Sequence, residues 1–365
     1  MSDGGSLPPA DRGPHGPENR GPQRPENRGP QRPVRSVDVA AHAGVSQATV
    51  SRVLSGKTSV SDKTRAVVLA ALEELGYQPN INARALKTQR TRSIAVVVAD
   101  ITNPFYPELV EALSEELAAE DQTMLLWNDA SNGDDGSVVA AMLQGLVDGA
   151  IFATATDDSP TLVKARELDL PIALVNRRID QSPFDSVTSD NANGGRIVAD
   201  YLAEHGRQPA LIAGPRNAST SSERSAGFLE RWSTAGHGPP PHVRYTDFSY
   251  DSGAAFCADM MALDEPPNAI FATNDYTAFG VLDMARRLGV AVPEDLWVIG
   301  YDDIAMAGWT SMDLTTVRQP TAEMAAAAVR LLLQRLDDRD RPIENVKFGS
   351  ELVIRGSTGG ETSSA

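Results

Sequence analysis

The sequence predicts an α/β protein: an all-α head followed by two doubly wound parallel α/β subdomains. Three observations predict it. A short stretch after residue 35 carries apolar residues at helical spacing. From Ile94 onward, short continuously apolar runs alternate with helical periodicity, the pattern of parallel sheets covered on both faces. With 365 residues and 41% hydrophobic content, the chain is expected to hold two or three domains, and the region after Ile94 is too long for one such sheet.

The elements follow in order. Residues 1–33 carry the unit Pro-Glu-Asn-Arg-Gly-Pro-Gln-Arg at 17–24 and again at 25–32. So much Pro and Gly with so few apolar side chains cannot bury enough surface to fold. This segment reads as a dispensable disordered tail, the alternative being a basic arm that touches phosphates. Between Ser36 and Ser55 the spacing predicts two short helices joined at Gly44, the first with Val37, Ala40 and Ala41 as its apolar set. Gly44 can take a positive φ and end that helix, and Ser46 can cap the next by accepting from freed amides. The second helix turns Val50, Val53 and Leu54 inward and leaves Gln47, Ala48, Thr49 and Arg52 outside. Amide, hydroxyl and guanidinium groups on one short exposed face are groups that read base edges in a major groove.

A third helix is expected from Ser61 or Asp62 to about Leu75, with Ala66, Leu69, Ala70, Glu73 and Leu75 as its mostly apolar set and Gly76 after it. Asn80 can cap one more helix through Lys87, too short to be stable alone. Thr88 to Ser93 is a polar connector. Strand-like runs then fall at Ile94–Ala99, Thr123–Trp127, Gly149–Ala153, Pro171–Val175, Ala210–Ala213, Ala269–Ala272 and Leu296–Ile299. Helical periodicity lies between them, as at Pro107–Ala119, Ala192–His205, Ser252–Leu263 and Ala278–Leu288. Two such subdomains leave a cleft where a ligand meets strand ends.

Charge divides the chain the same way. Residues 1–93 hold 14 Lys/Arg and 8 Asp/Glu, a balance of +6; residues 94–365 hold 19 and 41, a balance of -22. A basic head on an acidic body can neutralise phosphates while the body is repelled from them. The one cysteine, Cys257, excludes an intrachain disulfide and a multi-cysteine metal site and fits a reducing compartment. The N-terminus has no apolar signal region, and no run of about 18 apolar residues suggests a membrane span. Gly56-Lys57-Thr58 imitates the end of a phosphate loop, but that loop needs glycine where Ser51 stands. With no Gly-x-Ser-x-Gly elbow and no metal-ligand spacing among the histidines, an enzyme is not expected, nor a metal or cofactor.

At this point the chain resembles the LacI/GalR family of bacterial transcription regulators over roughly residues 34–358. The resemblance is most specific at Asp38-Val39-Ala40, Ala43-Gly44-Val45-Ser46 and Thr49-Val50-Ser51-Arg52-Val53. The body adds Asn103-Pro104-Phe105-Tyr106, Glu223-Arg224-Ser225-Ala226-Gly227-Phe228, Asn274-Asp275 and Val298-Ile299-Gly300-Tyr301-Asp302-Asp303. The resemblance implies a helix-turn-helix DNA-binding domain at 34–78 and a hinge helix with linker at 79–93. It also implies a periplasmic-binding-protein-like core at 94–358, followed by a short disordered tail. Within the core, the N-subdomain is expected at about 94–190 and 320–345, and the C-subdomain at about 191–319 and 346–358.

The resemblance further implies a homodimer, or a dimer of dimers, on near-palindromic double-stranded operator DNA. Gln47, Ala48 and Arg52 fall at base-reading positions: Gln47 suits adenine, Arg52 guanine, and Ala48 a thymine methyl. For Arg52 the alternative is a phosphate contact. Ser46 and Thr49 are expected to hold phosphates, as are Arg84 and Lys87, with Arg84 alternatively a solvated charge. Asn80 opens the hinge segment, in which Leu86 is placed to wedge a base step in the minor groove; the alternative is an ordinary packing leucine.

For the effector, the resemblance places Phe105 and Tyr106 as a clamp on a sugar ring and Phe248 as an aromatic wall. Arg224, Asn274 and Asp302 stand where relatives grip hydroxyls, with Gln319 at the crossover between subdomains. Asn176 stands where some relatives have an aspartate, and Thr154 and Asp157 line the same strand end. The alternatives are a turn cap for Asp302, a helix cap for Asn274, an ion pair with a buried acid for Arg224, and plain core for Phe105. The implied protein is a cytoplasmic repressor of carbohydrate-use genes, nucleoid-associated when bound to DNA and controlled by a small, sugar-like molecule. The alternatives are control by a nucleoside or a partner protein, and a transport-type sugar receptor.

Overall fold

The computed structural model describes residues 34–54, 60–77, 90–98, 100–128, 137–156, 159–179, 181–238 and 241–360. It divides into two compact units that meet in sequence near residue 80. The hinge residues Asn80, Arg84, Leu86 and Lys87, and Asp157 in the body, lie outside the described residues.

The first unit holds three helices, α1 (Ser36–His42), α2 (Gln47–Leu54) and α3 (Asp62–Glu74). Gly44 takes φ +63 at the turn between α1 and α2, and the Thr49 amide donates to the Ser46 side chain over 3.1 Å. Ser61 caps α3 by accepting from the Thr64 amide. The core is small: Val39 and Ala40 of α1, Val50 and Val53 of α2, Val68 and Ala71 of α3. This corrects two faces expected from spacing. Val37 is 47% exposed and Leu69 51%, and Ala41, Ala66, Ala70 and Glu73 are exposed as well. A seven-residue helix with four or five apolar side chains fits more than one apolar stripe. Packing against the other two helices selects the phase.

The second unit carries two six-stranded sheets. The strands are β1 (Ser93–Val98), β2 (Thr123–Asn128), β3 (Gly149–Phe152), β4 (Ile172–Val175), β5 (Asp185–Ser189), β6 (Pro209–Ala213), β7 (His242–Tyr245), β8 (Ala269–Ala272), β9 (Trp297–Asp302), β10 (Thr315–Arg318), β11 (Asn345–Phe348) and β12 (Glu351–Val353). The helices are α4 (Phe105–Ala119), α5 (Ser137–Leu143), α6 (Pro160–Glu167), α7 (Asn191–Glu204), α8 (Ser219–Thr234), α9 (Tyr250–Met261), α10 (Asp275–Leu288) and α11 (Thr321–Asp337). The first sheet runs β11-β5-β4-β3-β1-β2 and the second β12-β10-β9-β8-β6-β7, the same doubly wound order twice. All pairings are parallel except β10 with β12, which closes the second sheet antiparallel. Because β11 pairs with β5, the first subdomain extends through Phe348 rather than ending near 345.

Leu109, Leu113 and Leu117 recur every four residues along α4 and are fully buried, so one stripe of the helix faces the core. Each such side chain stabilises the fold by about 1.5–3 kcal/mol. α7 and α8 pack backbone to backbone. A Cβ on Gly227 would stand 2.0 Å from the Ala192 carbonyl, and one on Gly195 2.1 Å from the Arg224 carbonyl. This crossing brings Asn191 and Arg224 together. Three chain segments cross between the sheets, after β5, β10 and β11. They are tied where they pass: Ser189 Oγ donates to Gln319 Oε1 over 2.7 Å, and the Asp190 amide to the Phe348 carbonyl over 2.7 Å.

The start of β1 is pinned. Asp148 accepts from the Thr91 amide and hydroxyl and from the Arg92 amide, at 2.8, 2.9 and 2.8 Å. Arg90 donates to the Leu336 carbonyl at the end of α11 and pairs with Asp337, each at 2.8 Å. Among the described residues no helix is long and apolar enough to cross a membrane.

Candidate functional site

In the first unit, α2 presents Gln47, Ala48 and Arg52 as exposed residues and Thr49 as half-buried. Gln47 Nε2 donates to Ser36 Oγ over 2.9 Å, which holds the amide across the turn. Ser46 and Thr49 hydroxyls lie 2.9 Å apart. His42 Nε2 lies 2.7 Å from Glu74 Oε2, tying α1 to α3. The polar face of α2 therefore stands on a helix fixed by capping and by its own valines.

In the body, a narrow cleft is lined by Asn103, Phe105, Tyr106, Asn176, Arg177, Thr220, Arg224, Phe248, Asn274 and Asp302. Seven of the nine residues expected at the effector site, outside Asp157, are in this lining. The other two stand just behind it. Thr154 gives its backbone carbonyl to Arg177 Nη1 at 3.3 Å. Gln319 turns its side chain to Ser189 and, through Nε2, to Asp302 Oδ1 at 2.7 Å.

Each lining side chain has a local cause. Phe105 and Tyr106 open α4, where the Phe105 amide donates to Asn103 Oδ1 over 3.1 Å. Their rings meet edge to face, centroids 5.5 Å apart, and both are core residues as well as cleft lining. Arg224 reaches inward from α8. Its Nε donates to Asn191 Oδ1 at 2.9 Å, and its Nη1 to the Thr273 carbonyl at 2.7 Å and to Asp302 Oδ1 at 3.0 Å. Its guanidinium also lies 3.6 Å from the Tyr301 ring centroid. Asn274 caps α10 by accepting from the Thr277 amide at 3.3 Å and donates to the Phe248 carbonyl at 3.3 Å. The cap and ion-pair alternatives for Asn274 and Arg224 thus coexist with a place in the lining.

Three lining residues hold a positive φ without being glycine: Asn176 at 68°, Phe248 at 67° and Asp302 at 124°. Each such residue costs on the order of 1–3 kcal/mol and persists only where its surroundings hold it, a pattern common at binding sites. Asp302 ends β9, and burial pushes its carboxyl up to about 6, opposed by the charge of Arg224 and the Gln319 bond. Behind it Asp275 is fully buried, accepting from Thr316 Oγ1 at 2.5 Å and the Ile304 amide at 3.0 Å. Burial, and then the neighbouring Asp302 charge, push Asp275 up to about 8.

Sequence reasoning passed over three lining residues. Asn103 opens the Asn103-Pro104-Phe105-Tyr106 motif. Thr220 had no signal. Arg177 stands beside Arg178 after an apolar strand, and only the fold separates them: Arg178 pairs with Glu223, while Arg177 turns into the cleft.

A helix-turn-helix head and a two-sheet body with a polar cleft, carried by one chain, define a DNA-binding transcriptional regulator. Residues 37–80 match the profile of bacterial regulatory proteins of the lacI family, and residues 199–358 that of a periplasmic binding protein-like domain. The chain belongs to the LacI family. It is 33% identical to the HTH-type transcriptional regulator RegA of Clostridium saccharobutylicum over 88% of this chain and 98% of that protein. Among solved structures it is similar to the transcriptional regulator CelR in complex with cellobiose, with a TM-score of 0.67 and 32% identity over 89% of this chain and 100% of that one. It is also similar to the lac repressor dimer bound to operator and the anti-inducer ONPF, with a TM-score of 0.78 and 28% identity over 90% and 99%.

Proposed function

We propose that this regulator represses carbohydrate-utilisation genes and leaves a near-palindromic operator when a sugar-like effector fills the cleft. The observation that carries the reading is the composition of the lining. Phe105, Tyr106 and Phe248 offer aromatic faces, and Asn274, Arg224 and Asp302 offer amide, guanidinium and carboxylate edges. Sugar rings stack on aromatic faces through their axial hydrogens, and planar polar groups grip adjacent hydroxyls in fixed geometry. The cellobiose bound to CelR supports the same class of ligand.

On the DNA side, Arg52 and Gln47 read bases, Ala48 meets a thymine methyl, and Ser46 and Thr49 hold phosphates. The segment from Asn80 to Lys87 orders on the operator, with Leu86 as wedge and Arg84 and Lys87 on phosphates. The protein acts as a homodimer in the cytoplasm. Leu125 and Leu126 on the edge strand β2, with Leu143 and Leu146 after it, are 37–59% exposed, and a second copy would cover them. The effector closes the cleft and weakens operator binding by its differential affinity for the two states.

The test is a mobility shift of the full chain on an operator selected from random duplexes, repeated with mono- and disaccharides and purines. A sugar that releases the operator is the expected result. Release by a purine alone, or by nothing, overturns the carbohydrate reading. Arg52→Ala is expected to cost about 1–3 kcal/mol on the selected operator and to relax preference at one base pair. Equal losses on every sequence would make Arg52 a phosphate contact.

A further inference from the structure

We infer that the effector is an acidic sugar bearing one carboxylate, and that Arg177 selects it. The inference rests on the reading of the cleft as the effector site.

Three arginines are buried among the described residues: Arg177 at 9% exposure, Arg224 at 2% and Arg335 at 8%. Two of them hold a carboxylate. Arg224 pairs with Asp302 at 3.0 Å and Arg335 with Asp185 at 3.1 Å. Arg177 does not. Its Nη1 and Nη2 donate only to neutral oxygens, the Thr154 carbonyl and the Tyr106 hydroxyl, both at 3.3 Å. Its Nε is buried and has no hydrogen-bond partner. A guanidinium withdrawn from water without a counter-charge is strongly disfavoured. This one lines the ligand cleft, where an arriving anion can supply the missing charge.

The neighbouring residue fits the same ligand. Asn176 is 4% exposed, and its Oδ1 is likewise buried without a partner. A neutral amide here leaves the Arg177 charge uncompensated. An unmet donor and an unmet acceptor thus lie on consecutive residues of one wall. A carboxylate matches the guanidinium fork through two N–H groups, and a hydroxyl on an adjacent carbon can donate to Asn176 Oδ1. Carboxylate beside hydroxyl is the arrangement of a uronic or aldonic acid. The opposite wall, with Arg224 already neutralised by Asp302, has no second free charge. One uncompensated cation matches a monoanion.

The experiment is isothermal titration of the full-length protein with matched ligands: galactose against galacturonate, and glucose against glucuronate and gluconate. Glucose 6-phosphate serves as the phosphate arm. One carboxylate ligand is expected to bind about thirtyfold or more tighter than its neutral counterpart, the scale of a buried charge pair. Arg177→Met should abolish that preference and Arg177→Lys keep part of it. Without ligand, Arg177→Met should melt at or above the wild-type temperature, because it removes an unpaired charge; Arg177→Gln serves as a second neutral variant. A preference that survives both neutral variants overturns the role of Arg177, and strongest binding of glucose 6-phosphate overturns the carboxylate. A neutral sugar that binds as tightly as its acid and releases the operator overturns this inference and leaves the proposed function standing. Silence from every ligand of this panel overturns this inference, and the operator-release assay then decides the proposed function separately.

Discussion

The two walls of the cleft are built differently. On the second subdomain, Arg224, Asp302 and Asn274 are bonded to one another, to Gln319 and Asn191, or to backbone. On the first, Asn176 and Arg177 leave a buried oxygen and a buried nitrogen without partners. The satisfied wall is fixed in geometry before a ligand arrives, so it orients without rearranging. The unsatisfied wall gains most when a ligand completes it, because the buried oxygen and nitrogen then acquire partners.

The comparison can be broken most directly at Asp302. Asp302→Ala leaves Arg224 buried beside Tyr301 with no counter-charge, and is expected to lower stability by about 3–5 kcal/mol in chemical denaturation. A loss under about 1 kcal/mol would mean that the wall is not a coupled network. Next is its pH dependence. Asp275 carries a carboxyl raised to about 8 from 3.8. Between those values the unfolded chain has released this proton while the folded chain keeps it. Stability therefore falls as pH rises through that window, and Asp302, raised to about 6, adds to the fall over its lower part. Asp275→Asn should flatten the fall and overtake the wild type at pH 8, as measured by denaturation at pH 5 and pH 8.

Smaller effects sharpen the contrast. Gly227→Ala pushes α8 off α7, where the added methyl meets the Ala192 carbonyl. About 1–3 kcal/mol is expected, with a loss of ligand affinity as Arg224 shifts. Asn274→Ala removes a helix cap, at about 1 kcal/mol. The matching change on the other wall, Asn176→Gly, keeps the left-handed backbone and removes an unpaired oxygen, and should stay within about 0.5 kcal/mol of wild type. A cost equal to that of Asn274→Ala would show that the two walls are alike after all.

Much of the body was legible because its central strands are short, apolar and separated by helices. The seven runs from Ile94 to Ile299 all became strands. The strands not anticipated are those whose burial or position depends on distant partners. β5 reads Asp-Ser-Val-Thr-Ser and is buried throughout. Asp185 is met by Arg335 and Arg341, Ser186 by Asn345, and Ser189 by Gln319, each about 130–160 residues away in the chain. No local pattern carries that information. β7, β11 and β12 are edge strands with exposed positions and lack a continuous apolar run. The faces of α1 and α3 were misread for the opposite reason, since a surplus of small apolar residues left several phases open. At the cleft, residue type betrayed Phe105, Arg224 and Asp302. The inward turn of Arg177 is set by the fold, and its immediate neighbour Arg178 faces Glu223 instead.

The clamp at the start of β1 has a mechanical meaning. Asp148 holds residues 91 and 92 by three hydrogen bonds, and Arg90 is tied to the last turn of α11. Residues 90–92 therefore join the body with no slack. Any displacement of the first sheet would carry residues 90–92 with it, as a rod fixed in a socket moves with the socket. Asp148→Ala would remove three of these ties and leave those of Arg90 to hold the entry alone.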